Sequence, residues 1–266
     1  MLTKHHGLGN DFLIAVSPTL PLGPDQARQW CDRRRGIGAD GLISAHQLPD
    51  DSSTWTMQLW NADGSRAELS GNGLRCLGQA LLLHYDEGLE VSAFQVITDA
   101  GPRRVEIRPE RISHTDSVTV DMGRAKPGPS PWSRWGKLGV EVRRELGVDM
   151  GNPHLVCLVD DLSSLDLASI GPVVESDYAE GLNLEFITVL SRQAISLRVW
   201  ERGAGITEAC GSGACAAVWA AHQWGLVDGR AAVTMPGGEA WVEVVDDDLV
   251  LSGPATFVAV VEVEHS

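Results

Sequence analysis

The chain is short of lysine and has no long apolar run, and both shortages exclude classes of function. Lysine occurs only at Lys4, Lys126 and Lys137, in segments without other chemical signals. Pyridoxal phosphate enzymes need a Schiff-base lysine, so that chemistry is disfavoured and we expect no cofactor. A phosphate-binding Gly-x-x-x-x-Gly-Lys-Ser/Thr loop is missing as well. No segment has the length of a membrane span, and no apolar run follows Lys4 as in a signal peptide. We therefore expect no membrane partner.

Positive charge is also scarce, with 21 Lys and Arg against 36 Asp and Glu and a net charge of −15. Such a balance disfavours nucleic acid and anionic membranes as partners. The five cysteines are an odd number and form no Cys-x-x-Cys pair, which indicates reduced thiols in the cytoplasm and no zinc or other metal site. They are Cys31, Cys76, Cys157, Cys210 and Cys215.

Segments with strand character, separated by Gly, Pro and Asp, recur along the chain and indicate a mostly β protein. They lie at Phe12–Val16, Thr54–Trp60, Arg103–Arg108, Ser117–Asp121, Gly139–Arg143, His154–Val159, Asn183–Leu190, Ile195–Trp200, Ala232–Met235, Ala240–Val245 and Phe257–Val263. Three segments favour helices: Pro24–Arg35, Asn72–Tyr85 and Ser212–Trp224. The stretch Lys126–Trp135, rich in Pro and Trp, predicts an irregular surface loop.

Two parts of the chain match each other at an offset of 140 residues. The matched pairs are Trp60 with Trp200, Glu68 with Glu208, Ser70 with Cys210, Gly71 with Gly211 and Gly73 with Gly213. Near the same offset, Gly9-Asn10-Asp11-Phe12 faces Gly151-Asn152-Pro153-His154. Glycines alone would coincide by chance in a chain with 29 of them, but the Trp and Glu matches share their register. A repeat of this length indicates duplicated domains.

We therefore predict an α/β (α+β) protein of two pseudo-symmetric domains, with the active site in the cleft between them. Each domain is expected to wrap a mostly antiparallel β-sheet around one central helix. The first would span residues 1–116 and recruit the C-terminal strand 254–266, and the second would span residues 117–253.

Each copy of the repeat reads as a strand, a Gly-rich loop, a small residue, Gly-x-Gly and a helix. Backbone N–H groups at a helix start lack partners inside the helix and form an anion site. Two such sites across a cleft would clamp one carboxylate, with Ser70 and Cys210 on opposite faces of the attached carbon. That geometry predicts a racemase or epimerase, in which one group removes the α-proton and the other returns one. A thiol suits this task because its pKa of about 8.5 is expected to fall at a helix N-terminus.

Both residues also have simpler interpretations. Cys210 would serve as a small buried residue in a Gly/Ala-rich segment, although burial does not explain glycine on both sides of Ser212. Ser is among the best helix N-caps, so capping and catalysis both stay open for Ser70. Cys76 and Cys215 fit packing positions on the two helices.

Several motifs, in the same order, resemble those of the diaminopimelate epimerases along essentially the whole chain. They are His6-Gly-Leu-Gly-Asn-Asp-Phe12, Asn61-Ala-Asp-Gly-Ser65, Gly71-Asn-Gly-Leu-Arg-Cys76, Gly151-Asn-Pro-His154, Asn183 in Gly-Leu-Asn-Leu-Glu-Phe, Glu201-Arg-Gly-Ala-Gly205 and Ala209-Cys-Gly-Ser-Gly-Ala-Cys215. The resemblance implies a fold of two pseudo-symmetric α/β domains, an amino-acid substrate and a homodimer.

The resemblance also implies roles for individual residues. The distal, non-reacting end of the substrate would be recognised by Asn10, Asn61, Asn152, Asn183 and Arg202, whose amides and guanidinium suit a second amino-acid head group. The reacting carboxylate would be held by the N–H groups of Gly71, Asn72, Gly211 and Ser212. Beside the catalytic pair, His154 and Glu201 would tune its protonation.

The chain departs from the family at its first catalytic cysteine, because Ser70 stands directly before Gly-Asn-Gly. The hydroxyl is a far weaker acid than a thiol, by about 7 pKa units, or roughly 10 kcal/mol in forming the anion. Cys76 follows six residues later inside the helix and cannot replace the thiol without rearrangement. We expect Ser70 to relay a proton through water or to cost most of the activity.

Three functions fit these features. The first is epimerisation of LL-2,6-diaminopimelate to the meso form, a step toward lysine and peptidoglycan precursors. The second is a relative with one-base chemistry, such as an amino-acid dehydratase or isomerase. The third is a binding homologue that keeps the pocket and has lost the chemistry.

Overall fold

A computed structural model describes residues 2–19, 21–84, 92–109 and 114–263. The chain divides into two compact units, one formed by Met1–Asp121 with Ser252–Ser266 and the other by Met122–Leu251. Strands and helices alternate in both units, so the expected mixed α and β fold is confirmed.

The N-terminal segment of the first unit contains eight strands and two helices within its described residues. In chain order they are β1 (Leu2–Gly7), β2 (Asn10–Val16), α1 (Pro24–Cys31), β3 (Gly41–Leu48), β4 (Asp51–Asn61), β5 (Arg66–Ala67), α2 (Gly71–His84), β6 (Ser92–Thr98), β7 (Gly101–Arg108) and β8 (Thr115–Arg124). Strand β8 runs across the division between the units, and the boundary expected after residue 116 falls inside this strand.

The second unit follows the same order of elements after a short strand and one 3₁₀ turn. Its elements are β9 (Lys126–Pro127), the 3₁₀ turn (Trp135–Leu138), β10 (Arg144–Asp149), β11 (Pro153–Leu158), α3 (Leu167–Glu175), β12 (Asn183–Ser191), β13 (Ala194–Glu201), β14 (Gly205–Thr207), α4 (Gly211–Gln223), β15 (Arg230–Met235), β16 (Gly238–Val245) and β17 (Asp248–Val261). Strand β17 supplies the returning segment of the first unit from Ser252 onward.

Strand pairing repeats between the units down to the register. In the first unit β2 and β3 run parallel, with Phe12 opposite Gly41, and in the second β11 and β12 run parallel, with His154 opposite Asn183. The next hairpin, β3–β4 or β12–β13, is antiparallel in both units, and its second strand pairs in parallel with the strand after the central helix. Antiparallel pairing joins β1 to β2 and β17, β6 to β7, β10 to β11 and β15 to β16, as the sequence predicted.

One helix in each unit is almost wholly buried against the strands. Helix α2 buries every residue from Gly71 to Leu81, and α4 buries nearly all of its small side chains. A run of Gly and Ala lets α4 approach the strands closely, since small side chains keep the backbones near each other. Both helices match the predicted segments within one residue at their starts. Tyr85, the predicted end of the first, lies outside the described residues.

Several predicted boundaries were wrong for local reasons. The first helix ends at Cys31 rather than Arg35, because the Asp32 carboxylate accepts hydrogen bonds from the N–H groups of Arg34 and Arg35 in a turn. The strand expected at Gly139–Arg143 is absent. Its first residue closes the 3₁₀ turn with φ of +66°, and the strand begins only afterwards.

The stretch Lys126–Trp135 is irregular between β9 and the 3₁₀ turn, and most of its residues are exposed, as the sequence predicted, but its two tryptophans are not at the surface. Trp132 and Trp135 are buried in the core of the second unit, with their ring centres 4.6 Å apart. Their indole N–H groups donate to Asp177 and Glu145, both at 2.7 Å. Satisfying these polar tips inside the protein allows the large rings to enter the core.

Candidate active site

Cys210 is the N-cap of α4. Its backbone is extended, with φ −127° and ψ 117°, and its sulfur accepts a hydrogen bond from the N–H of Gly213 at 3.3 Å. The residue is only 4% exposed. The glycine-rich sequence therefore places a thiol at the point where the helix leaves N–H groups without helical partners.

The pKa of the Cys210 thiol is raised well above its ordinary value, first by burial and then by the nearby negative charges of Glu201 and Glu185. Hydrogen bonds from Gly213 and Ser212 act in the opposite direction and are outweighed. The expectation that the helix start lowers this pKa was therefore wrong. Two carboxylates beside a desolvated thiol overcome the helix terminus.

A chain of hydrogen bonds leads away from Cys210. Its sulfur lies 3.6 Å from Ser212 Oγ, which accepts from Asn152 Nδ2 at 3.5 Å. Asn152 Oδ1 lies 2.9 Å from His154 Nε2, and His154 Nδ1 lies 2.6 Å from Glu185 Oε1. Both members of the last pair are fully buried. The structure thus joins two sequence-predicted residues, Asn152 and His154, to the thiol.

Glu201 is the last residue of β13 and lies near the thiol. Thr207 donates a hydrogen bond to its Oε1, and the negative charge of the carboxylate acts on the nearby Cys210 thiol. Burial raises the pKa of Glu201 despite the hydrogen bond from Thr207. A carboxylate beside the thiol is placed to take its proton.

Asn183 and Arg202 form a second group in this unit. Asn183 is 4% exposed, donates to the carbonyl of Pro153 at 3.0 Å and accepts from the N–H of Arg202 at 3.0 Å. The Arg202 guanidinium donates to the carbonyl of Glu180 at 3.2 Å. The asparagine thereby fixes the backbone that carries the arginine.

Ser70 stands at the start of α2 in the first unit. Its Oγ accepts from the N–H of Gly73 at 3.0 Å, and its carbonyl accepts from the N–H of Leu74 at 2.9 Å. Ser70 therefore caps the helix through the same atoms as Cys210. Capping is common to both positions and does not by itself decide between them.

Asn10 and Asn72 lie in a hydrogen-bonded chain beside Ser70. Asn72 Nδ2 donates to Asn10 Oδ1 at 3.1 Å, and Asn10 Nδ2 donates to Asp40 at 2.8 Å. Arg75 donates to Asn72 Oδ1 at 2.5 Å and, at 2.7 Å, to the carbonyl of Pro254 in the returning strand. Asn61 lies apart from this chain, exposed at the end of β4, where it donates to Ser65 Oγ at 2.9 Å.

The surroundings of the two helix starts differ at the strand positions that the repeat makes equivalent. His154, Glu185 and Glu201 surround the thiol in the second unit. The corresponding strand positions in the first unit carry Phe12, Ile43 and Asn61. None of these three side chains titrates, so the scaffold is duplicated but the acid–base groups are not.

Sequence reasoning missed Glu185 and Thr207. Glu185 follows Asn183 by two residues on β12, which places both on one face of the strand. An acidic residue between Leu184 and Phe186 in an apolar strand was the available signal. Thr207 carried no signal, because its role depends on the pairing of β14 with β13.

The sequence profile of the diaminopimelate epimerases matches residues 2–127 and 147–258. The chain belongs to the diaminopimelate epimerase family. It is 43% identical to a diaminopimelate epimerase of Synechocystis over 273 residues, covering 95% of each chain. It is 41% identical to the diaminopimelate epimerase of Corynebacterium glutamicum over 275 residues, covering 98% of this chain and 97% of the relative. The expected resemblance is confirmed.

Solved structures share the fold of this diaminopimelate epimerase family member at low identity. A predicted epimerase from Pseudomonas aeruginosa superimposes with a TM-score of 0.79 at 16% identity, covering 100% of this chain and 99% of the other. A hydroxyproline epimerase from Agrobacterium vitis gives 0.72 at 15% identity, covering 97% and 90%. At such identities the match concerns the fold alone.

Across the described ranges, no three His, Cys, Asp or Glu side chains are grouped as they are around a metal ion. No helix in that part of the chain combines the length and apolar character that crossing a bilayer demands.

Proposed function

We propose that this protein epimerises LL-2,6-diaminopimelate to meso-diaminopimelate, without a cofactor, by removing and returning the α-proton. The product would serve lysine and peptidoglycan precursor synthesis. The observation that carries the proposal is the buried Cys210 thiol at the start of α4, beside the carboxylate of Glu201, in a chain of this family. A thiol paired with a carboxylate suits proton transfer at carbon.

The thiol begins protonated, because burial and two carboxylates raise its pKa. In the direction that returns a proton, Sγ–H gives its proton to the substrate α-carbon and becomes a thiolate. In the direction that removes one, Glu201 first takes the thiol proton, and the thiolate then takes the α-proton. The substrate's ammonium group would favour that thiolate by bringing a positive charge beside it.

Backbone N–H groups at the two helix starts would hold the reacting carboxylate through Gly71, Asn72, Gly211 and Ser212. They would also stabilise the charge that develops as the α-proton leaves. The distal head group would contact Asn10, Asn61, Asn152, Asn183 and Arg202. The fixed backbone of Arg202 supports this assignment, since a positioned guanidinium binds a carboxylate bidentately.

Ser70 favours a second candidate, a one-base enzyme such as an amino-acid dehydratase or isomerase. Its neighbours at the repeat positions, Phe12, Ile43 and Asn61, supply no acid or base. A binding homologue without turnover is the third candidate. The complete set of groups around Cys210 argues against it.

Proton–deuterium exchange at the α-carbon in D2O separates these candidates. Inversion with exchange from both the LL and meso isomers is expected for an epimerase. Exchange from one isomer only would assign one-base chemistry, and binding without exchange from either would refute turnover. Cys210→Ala is the matched control and should abolish exchange in every case where the thiol acts.

The Ser70→Cys variant tests the role of position 70 in the same assay. We expect a large gain in inversion, because the thiol forms its anion about 7 pKa units more readily than a hydroxyl. The cap hydrogen bond to Gly73 should survive, as the Cys210 sulfur makes the same bond in the other unit. An unchanged rate would show that position 70 does not limit the reaction.

Dimerisation and a cytoplasmic location remain predictions. All five cysteines are unpaired and buried, which supports work in a reducing compartment. The homodimer rests on the family resemblance, and light scattering of the purified protein would test it.

A further inference from the structure

Glu185 is a buried carboxylate in an otherwise apolar strand. It lies on β12 between Leu184 and Phe186, and all three side chains are 0% exposed. Its Oε1 lies 2.6 Å from His154 Nδ1. Its Oε2 is buried and has no hydrogen-bond partner among the described residues. Burying a carboxylate costs several kcal/mol unless its surroundings compensate it, so this position needs an explanation.

The carboxylate also borders the Cys210 thiol across Gly213. A Cβ atom added at Gly213 would lie 2.7 Å from Glu185 Oε1 and 3.2 Å from Cys210 Sγ. The two atoms can therefore be no farther apart than the sum of those distances. Glycine at this position leaves the space through which the carboxylate and the thiol interact without an intervening side chain.

Glu185 and Cys210 are also linked through hydrogen bonds by His154, Asn152 and Ser212. Asn152 Oδ1 faces His154 Nε2, so Nε2 carries a hydrogen. The 2.6 Å contact at Nδ1 then holds one further proton, shared between the imidazole and the carboxylate. This arrangement fixes both the orientation of the ring and the orientation of the Asn152 amide.

The repeat shows that the fold does not require an acid here. In the first unit the equivalent position is Ile43, and its Cδ1 lies 3.2 Å from where a Cβ at Gly73 would be. The same backbone thus accepts an isoleucine facing the same helix start. The carboxylate is therefore found only at the copy of this position in the unit that contains the thiol.

We propose that Glu185 is a positioning residue that fixes His154 and keeps the Cys210 thiol protonated until the substrate binds. The inference deepens the proposed function, because it concerns the residue proposed as its acid. The charged or titratable groups facing Cys210 are Glu201 from β13, Glu185 from β12 and, through the hydrogen-bond chain, His154 from β11.

The test is the pH dependence of Cys210 alkylation by iodoacetamide in the full-length protein, followed by mass spectrometry of its peptide. Glu185→Gln removes the charge while its amide can still donate to His154 Nδ1. We expect the alkylation midpoint to fall by about one pH unit or more, because a nearby negative charge raises a thiol pKa. A midpoint that is unchanged or higher in the folded variant would overturn the proposal.

Glu145→Gln is the matched control. Glu145 is a partly buried carboxylate in the same unit that accepts from Trp132 and Trp135 and does not border Cys210. Its substitution should leave the midpoint of Cys210 unchanged. A general loosening of the unit would instead raise alkylation of buried Cys215 without moving that midpoint. Because no turnover is measured, the outcome is independent of whether the protein epimerises diaminopimelate.

If Glu185→Gln does not fold, Glu185→Ile supplies the residue that the first unit carries at this position. It should fold and show the same fall in midpoint. In the unaltered protein, ¹⁵N NMR of the His154 ring is expected to show a protonated Nε2. An unprotonated Nε2 would contradict the hydrogen-bond chain and overturn the positioning role.

Discussion

At the residue scale, one backbone position performs the same structural task in both units but lies in two different chemical environments. Ser70 and Cys210 each cap a central helix, because their side chains accept a hydrogen bond from the N–H of the third helical residue. What differs is the side chains that the flanking strands present. Carboxylates surround the thiol, and Ile43 lies near the hydroxyl. The charge and polarity around each capping side chain are thus set by strand residues as much as by the helix start.

His5 gives a residue-scale prediction for stability. It is fully buried on β1, with Nδ1 2.8 Å from Gln79 and Nε2 2.9 Å from Thr3. Burial lowers its pKa from 6.5 to about 4, although the hydrogen bond to Gln79 opposes the shift. Between these values the unfolded chain binds a proton at His5 that the folded chain does not. Stability should fall as the pH drops from 6.5 to 4, by about 3 kcal/mol from this residue.

Urea unfolding of the parent and of His5→Gln across that pH range checks this expectation. The variant should show a shallower decline, because Gln carries no titrating group. His6→Gln, its half-buried neighbour on the same strand, is the control and should keep the parent's slope. Equal slopes for the parent and His5→Gln would show that His5 is not the group responsible.

At the element scale, the repeated tryptophans Trp60 and Trp200 join strands β4 and β13 to the shorter helix of each unit. Trp60 belongs to the core that contains Ala27 of α1. Trp200 lies against α3, where its indole N–H donates to Glu175 at 2.7 Å. A Cβ added at Gly171 of α3 would lie 2.2 Å from the Trp200 ring. The glycine is therefore required by the closeness of helix and ring.

Gly171→Ala should destabilise the protein by about 1–3 kcal/mol, since overpacking outweighs the roughly 1 kcal/mol that alanine gains in a helix. Denaturant unfolding measures the loss. Gly136→Ala, in the 3₁₀ turn of the same unit, is the control, because nothing lies within 4 Å of its added Cβ. A Gly171→Ala variant as stable as this control would mean that Trp200 moves without cost.

The elements also show how far sequence reasoning reaches. Helices α2 and α4 were predictable because the repeated Gly-x-Gly precedes apolar runs. Helix α3 was not predicted, since Gly171 and Pro172 interrupt its pattern, although Asp166 caps its start. Strand β3 was missed because its first five residues are all buried, which removes the alternation expected of a strand with one exposed face.

For the candidate site, the repeat and the family motifs indicated Cys210, Ser70 and their hydrogen-bonded neighbours. The direction of the Cys210 pKa shift could not be predicted in the same way. It depends on Glu185 and Glu201, which reach the thiol from β12 and β13 only after those strands pair. The local sequence predicts that the helix start lowers the pKa of Cys210, but it does not show the two carboxylates that raise this pKa.

At the scale of the whole molecule, the first unit is built from both ends of the chain. Strand β17 pairs with β1 antiparallel, with Thr256 opposite His6 and Val261 opposite Leu2. The buried Arg75 guanidinium donates to the carbonyl of Pro254 in this strand. Without the segment, a buried charge would lose an acceptor and β1 would lose one of its two partners.

A circular permutant tests this dependence. Because Val261 lies opposite Leu2, residues 252–263 can be placed before residue 2 through a short Gly-rich linker, as in a hairpin, with the chain ending at Leu251. The permutant should keep the far-UV circular dichroism of the parent and the protection of its β1 amides in hydrogen exchange. A matched variant that simply ends at Leu251 should lose that protection in β1 and β2, whereas amides of β11 and β12 stay protected. Retained protection of β1 in the shortened chain would show that the first unit folds without its returning strand, and that Arg75 finds another acceptor.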